Sequence, residues 1–552
     1  MASPLFSPSS DSPAHGNDLL EQLDALQGAS EARRDRSLGQ AWVESTRQFY
    51  NMERPSRLVP SFRPQVSIPY LQVMNLSEAS DLSEGDPVIY LNYDGNRREK
   101  EEKYLQKLWT AGAFNLENMM ALIWAMTIGT GITMVGYDQT AYGGRGAPWV
   151  KLVSVEDFYP DPDASCEDDM QYCQYRTYSS KSQLIDKYGP RAEAIRERDT
   201  GSGAGARPII RIGGGGPFLS VPDRSAASMS RDIGYRTGFG GSLVPVRTTI
   251  IEDFTVEKDR ESGRWIRKYP GKRRIVDAGG TTLYDDADTA PWGMYPFCRF
   301  LAIPPLEGFW GVDPTRFSLK LQDLAERFYT QAYENAYRTN NATIVLEEGS
   351  GLTKENYRGM PAEVVVVKPG REGPKHIWPN PMPAHLTQLP EKLLQMQEIL
   401  QSRTGAKAGN LAAGNLSADL FDAAVNQGQP ITRMRSKLLA RSIQREARLV
   451  FGFMLSRFAG GRRVVSEDGN TIQWDVEGTN PNAWEIQVDP SSIFPYSGTQ
   501  LRRMIPALRQ MQLIDTKRAL EILKLPHADD IAEEVKLEEQ LGALAGVQRK
   551  RR

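Results

Sequence analysis

Residues 311–341 read GVDPTRFSLKLQDLAERFYTQAYENAYRTNN, and the rest of the chain is organised around that stretch. Asp313 offers a side-chain acceptor at an N-cap, and Pro314 supplies a preset φ at the first helical position. Phe317, Leu321, Leu324, Phe328, Ala332 and Ala336 then recur at spacings of three and four, the stripe of an amphipathic helix. The spacing predicts a helix to about Thr339, roughly 39 Å long at 1.5 Å per residue.

Downstream, Thr343–Leu346 and Glu363–Lys368 read as strands around a Gly/Asn turn region. Leu393, Met396 and Leu400 mark one face of a second helix over Pro390–Arg403. Gly405–Asn415 (GAKAGNLAAGN) is small and uncharged apart from Lys407, the composition of a flexible loop. A helical pattern then runs from Ser417 to about Phe458, interrupted at Gly428–Pro430, where proline must kink or break it. Strand-like runs return at Arg462–Val465, Thr471–Asp475 and Trp484–Val488. Residues after about 500 read as helical and end in Arg549-Lys550-Arg551-Arg552.

Upstream, Asp18 to about Met52 has helical spacing, Leu58–Pro87 is mixed and loop-rich, and residues 97–128 hold two helical patterns. Residues 130–300 change to short strand-like runs, among them Trp149–Val155, Leu243–Glu257, Trp265–Tyr269 and Phe297–Ile303. Gly201–Gly241, with four consecutive glycines at Gly213–Gly216, reads as a long loop. Asn118–Tyr137 carries no charge, about the length a bilayer demands. Gly129-Thr130-Gly131 inside it predicts a buried helix, a glycine turn and a strand instead. The order of helical and strand-rich runs indicates an α+β fold, and 552 residues suggest about two to four domains.

Sixty-seven basic against sixty-nine acidic side chains give a net charge of −2, which excludes a protein built around a strongly basic nucleic-acid clamp. Three cysteines, Cys166, Cys173 and Cys298, make neither a disulfide framework nor a zinc pattern, so a reducing cytoplasm is the expected setting. His15, His376, His385 and His527 form no metal-ligand spacing, and no GxxxxGK[ST] loop occurs. The Ser/Pro-rich start, MASPLFSPSSDSPAHGND, is not a secretory signal and reads as a disordered tail over 1–17.

Candidate chemistry is sparse. Asp157, Asp161 and Asp163 could suggest a metal-dependent DNA-processing site, although Asp-Pro pairs form turns and no Lys or His lies nearby in sequence. Tyr284-Asp285-Asp286 has the wrong spacing for a polymerase acidic turn, and Gly201-x-Gly203 follows no strand. No catalytic, cofactor or metal residues are therefore assigned. Residues 431–457 carry Arg433, Arg435, Lys437, Arg441, Arg445, Arg448 and Arg457 against a single Glu446. Such a face is either solvated or a contact for phosphates or an acidic partner, with Arg433, Arg441, Arg445 and Arg448 as the candidates.

This order of parts resembles the portal, or head-to-tail connector, proteins of tailed bacteriophages. Val153–Pro162 is similar to the acidic Asp-Pro segment of portal wings, and Gly311–Asn341 to the first stem helix. Ile344–Ser350 and Met360–Val367 look like the clip, Ile399–Gly405 like the end of the second stem helix, and Asn415–Asp419 like the helix start after the channel loop. The likeness covers residues 40 to 500; the Gly201–Gly241 insert and the C-terminal residues match no quoted pattern. It implies a tail over 1–17, a mixed α/β wing over 18–312, stem helix 1 over 313–341, a small α/β clip over 342–383 and stem helix 2 over 384–404. A channel loop over 405–416, a kinked long helix with a second wing part over 417–499 and a helical crown over 500–552 would follow.

The resemblance further implies a non-enzymatic, cofactor-free homo-oligomeric ring, about twelve copies, at one capsid vertex, assembled in the host cytoplasm and carried in the virion. Double-stranded DNA would pass through it during packaging and ejection. Twelve stem helices at about 10 Å spacing close a circle of roughly 38 Å through their axes. That leaves a bore that a duplex passes with little to spare. Near-neutral charge suits a conduit, since each phosphate contact would add about 0.9 to the salt slope. Lys407, Asn410 and Asn415 would line the bore. Lys354, Arg358, Lys368, Arg371 and Lys375 would dock the packaging ATPase (the terminase large subunit) and later the tail adaptor, and Pro430 would kink the coupling helix. Major capsid or scaffolding protein would be a further partner, and no membrane is implied. The competing readings are the metal-dependent DNA-processing enzyme and a low-order structural head–tail adaptor.

Overall fold

The computed structural model describes residues 15–38, 66–83, 87–141, 146–195, 243–258, 265–269, 271–340, 343–345, 348, 367–370, 374–377, 384–400, 430–458, 463–465, 471–473 and 483–488. They form a mixed α/β structure, consistent with an α+β fold. The Gly201–Gly241 insert and the residues expected to form a channel loop (405–416) and a crown (500–552) lie outside the described residues, as do residues 39–52 of the first helical region.

Helix α1 (His15–Leu38) opens the described chain. Helix α2 (Tyr70–Ser83) occupies the region expected to be loop-rich. Its buried face mixes Leu71, Met74, Ala79 and Leu82 with the polar Asn75 and Glu78, and Val73 and Leu76 are exposed off it, so no purely apolar stripe announces it. Strands β1 (Ile89–Tyr93) and β2 (Asn96–Arg97) form a hairpin before helices α3 (Glu99–Ala111) and α4 (Phe114–Ile128). Strand β3 (Thr130–Asp138) leaves α4 through Gly129, where φ is +94° and a Cβ would collide with the Gly311 carbonyl and the Val312 backbone. Both demands select glycine. The helix, glycine turn and strand read from the uncharged stretch are thus present, and no described helix is long and apolar enough to cross a membrane.

Strands β4 (Ala147–Val153), β5 (Phe158–Pro160) and β6 (Tyr172–Ser180) follow. Helix α5 (Lys181–Tyr188) begins with a capping box in which Ser180 and Gln183 exchange side-chain-to-backbone bonds. Strand β7 (Leu243–Ile251) precedes the small pair β8 (Val256–Lys258) and β9 (Trp265–Arg267), then the hairpin β10 (Arg273–Ala278) and β11 (Thr281–Ala287), and β12 (Phe297–Leu301). The C-terminal half holds α6 (Thr315–Asn340), β13 (Thr343–Val345), β14 (Lys375–Ile377), α7 (Ala384–Leu400) and α8 (Pro430–Arg457). Strands β15 (Arg463–Val465), β16 (Thr471–Gln473) and β17 (Trp484–Val488) end it.

The described residues divide into two compact units. One draws on residues within 1–78, 120–134 and 152–409. Its five-stranded sheet has the order β11-β10-β7-β6-β5. Phe158, Tyr175, Phe297 and Phe309 centre its core, with the Phe158 and Phe297 rings 4.8 Å apart. Helix α1 is tied to β5 and β6: Ser30 Oγ donates to the Pro160 carbonyl at 2.7 Å, and Gln174 Nε2 to the Leu23 carbonyl at 2.9 Å. The other unit draws on residues within 79–119, 135–151 and 410–552. There β1 pairs with β17 in antiparallel register, Ile89 opposite Val488, and α8 packs on β17 through Phe451 and Trp484, 4.9 Å apart.

Candidate functional site

The stretch that opened the sequence reading forms α6. Asp313 Oδ1 accepts the Thr315 amide at 2.7 Å, so the expected cap bond is made; the helix itself starts at Thr315, two residues after Asp313, which leaves Pro314 just outside it. Helix α7 packs antiparallel against α6. Gln397 Nε2, fully buried, donates to the Ser318 carbonyl at 2.9 Å near one end. At the other end the chain leaving α6 and the chain entering α7 pair as β13 and β14, Thr343 opposite Ile377. The second of these strands was expected over Glu363–Lys368. Val367 and Lys368 lie in no strand and the preceding residues are outside those described; the partner strand is Lys375–Ile377. Helix α7 also starts earlier than expected, at Ala384, which places Pro390 inside it rather than at its first position and removes one backbone donor there.

A third layer was not foreseen. Residues 66–71 run along α6, where Thr330 Oγ1 accepts the Val66 amide, Glu326 Oε1 the Ile68 amide and Gln322 Oε1 the Leu71 amide, all within 3.1–3.2 Å. Gln322, Glu326 and Thr330 are four residues apart, so one polar stripe satisfies an adjoining backbone. That spacing was the available signal, but polar residues on a helix ordinarily face water. Leu71 and Met74 close the contact against Leu319, and the Tyr70 hydroxyl donates to Glu398 on α7.

The outward faces of the pair set clustered apolar residues among charged ones such as Arg316, Lys320, Glu391 and Lys392. Tyr333 and Tyr337 lie one turn apart on α6, and Tyr337 is 62% exposed. On α7, Met396, Ile399 and Leu400 share a face, and Ile399 is 73% exposed. Isolated exposed apolar residues are ordinary, whereas clustered ones mark contact surfaces.

Of the residues singled out for docking, Lys368 is exposed just before the Pro369–Gly370 turn, and Lys375 is exposed at the first position of β14 opposite Val345. Lys354, Arg358, Arg371, Lys407, Asn410 and Asn415 lie outside the described residues. Pro430 is the first residue of α8, not an interior kink of the described helix; the residues before it are outside those described. Arg433, Arg441 and Arg448 are exposed on α8 and Arg445 is half-buried, while Glu446 is fully buried and accepts Asn118 Nδ2 at 3.1 Å.

The aspartates considered for metal chemistry are engaged in building a turn. Asp161 accepts the amides of Asp163 and Gln171 at 3.1 and 3.0 Å, and Asp157 accepts the Tyr178 hydroxyl at 3.1 Å. Burial, and then the Asp157 charge, push that phenol well above its ordinary range. Asp285 of the Tyr-Asp-Asp run pairs with Arg273 at 2.7 Å. Among the described residues, no group of three or more His, Cys, Asp or Glu is placed to hold a metal ion. No protein-family model and no curated protein matches the chain.

Proposed function

We propose that this protein is a portal protein: a ring at one capsid vertex through which duplex DNA is packaged, retained and ejected. The observation that carries the reading is the α6–α7 pair, two long antiparallel helices whose intervening chain returns through a small β13–β14 ladder. That is the arrangement expected of stem helices flanking a clip. The exposed apolar clusters, Tyr333 with Tyr337 on α6 and Met396, Ile399 and Leu400 on α7, support it further. A ring needs two different complementary patches on each copy, and α6 and α7 each present one. In this reading the protein performs no catalysis, docks the terminase large subunit and then the tail adaptor through the region of Lys368 and Lys375, and meets capsid or scaffolding protein at its rim. It would occupy the virion and, during assembly, the host cytoplasm.

Negative-stain electron microscopy with mass photometry tests the proposal directly. Rings with a central hole and about twelve-fold mass are expected. Ile399→Glu, which puts a charge on the α7 face, is expected to abolish rings while leaving the subunit folded by circular dichroism. A stable compact dimer would overturn the portal reading. Mg²⁺-dependent plasmid nicking that is lost in Asp161→Asn would favour the enzyme reading instead.

A further inference from the structure

Helix α1 is fastened to the five-stranded sheet mainly by polar bonds. Among its described side chains, Leu23 is the one fully buried apolar group; Leu19, Leu20 and Leu26 are half-buried. The other fully enclosed residues, Ser30 and Arg34, are polar. Helix α5, by contrast, seats Leu184 in an apolar cluster with Val244, Val246 and Leu283.

Beside the Ser30 and Gln174 bonds already described, the Tyr172 hydroxyl donates to the Leu26 carbonyl at 3.1 Å. Arg34 Nη1 donates to the Glu156 carbonyl at 2.8 Å, and Arg247 Nη1 reaches Asp24 and Gln27. Opposing terms sit in the same contact. Arg34 is a buried cation that meets carbonyls and the Tyr159 ring across the interface, with the half-exposed Asp35 of its own helix 3.5 Å away. Enclosing a cation against neutral groups costs solvation that release would restore. Gln174 Oε1 and Thr249 Oγ1 stand opposite one another in the β6–β7 register, on the face to which Gln174 holds α1. Both are buried without a hydrogen-bond partner among the described residues, and water would satisfy both.

The sheet needs little from α1. Arg247 Nε and Nη2 remain on Asp277 at 3.0 Å whether or not Nη1 keeps Asp24. Departure of the helix would uncover hydroxyl, amide and guanidinium groups more than apolar surface, so the bared face stays compatible with water. Elements held in this way open as units well below the free energy of global unfolding. We infer that α1 is a releasable strap: it leaves the sheet as one unit while the sheet stays folded, and its departure uncovers a donor face made by Tyr172, Gln174 and Arg247. Such a face fits a helix that presents carbonyls and an acidic side chain, as α1 itself does.

Amide hydrogen exchange of the full chain, read by mass spectrometry, tests this. The α1 amides over residues 19–36 are expected to exchange together, about a hundredfold faster than those of β6 and β7. Ser30→Ala deletes one docking bond and speeds α1 exchange about fivefold. Thr249→Val removes an orphan hydroxyl from the closed seat and slows α1 exchange about fivefold. Unchanged β6 and β7 rates in both variants show that the sheet is intact. An α1 that exchanges at the rate of β6 and β7, or shifts with them by the same factor in both variants, overturns the inference, because the helix is then part of the sheet's own cooperative unit. Fully unprotected α1 amides overturn it too, since no closed strap would then exist.

Discussion

The five-stranded sheet and helix α8 use the same charged residues in opposite ways. On the sheet, arginines are enclosed by carboxylates. Arg247 bonds Asp277 at 3.0 Å and also Asp24, Arg273 bridges Asp253 and Asp285, and Arg274 stands 3.9 Å from Asp288. Burial pushes the carboxyls of Asp277 and Asp288 up despite these cations. For Asp253, burial is outweighed by hydrogen bonds from Thr255 and by Arg273, which hold it below the usual carboxylate range. On α8, Lys437, Arg441 and Arg448 face outward on a helix whose one carboxylate points inward. The first arrangement satisfies itself and serves stability; the second presents its charges outward.

Substitutions can sharpen that contrast. Phe451→Ala, on the inner face of α8 against Trp484, is expected to cost about 3–5 kcal/mol by leaving a cavity, read by denaturant unfolding.

Asp253→Asn is expected to cost about 2–3 kcal/mol at neutral pH, because half-buried Arg273 loses one of its two anions. Its pH dependence has a definite sign. A folded-state pKa below the unfolded value adds stability that is present above about pH 4 and is lost as pH falls through the lower folded value. The penalty of Asn should therefore hold down to about pH 4 and shrink below it. A penalty that fades near pH 6 would show that another group controls the site.

The smallest stability effect belongs to the α8 stripe. Replacing Lys437, Arg441 and Arg448 together by Gln is expected to leave unfolding within a few tenths of a kcal/mol of the parent, on the stable side, because each like-charge pair costs only about 0.2–0.5 kcal/mol. A large loss would mean that the stripe is a structural ion-pair network like that of the sheet, and the contrast would collapse.

Much of the local structure was legible. The helix before Gly129, the strand after it, the cap at Asp313 and strand Trp484–Val488 all follow from residue spacing and backbone preference. Helix α2 was not legible, since its buried face carries Asn75 and Glu78 beside Leu71, Met74 and Leu82 while Val73 and Leu76 point outward. Nor was the start of α7, because Pro390 reads as a first position when it is in fact interior.

By itself, then, the sequence determined features written in short periods: the length of α6, the glycine turn at Gly129 and the cationic stripe of α8. Tertiary structure alone decided the partners. Ile89 finds Val488 although residues 90–487 lie between them, and Thr343 finds Ile377 across the residues between α6 and α7. Gln322, Glu326 and Thr330 exchange the expected water for the backbone of residues 66–71. The physical reason is that a helix or strand period repeats within a few residues, whereas a ladder or a buried acceptor is chosen by which distant backbone groups would otherwise go unsatisfied.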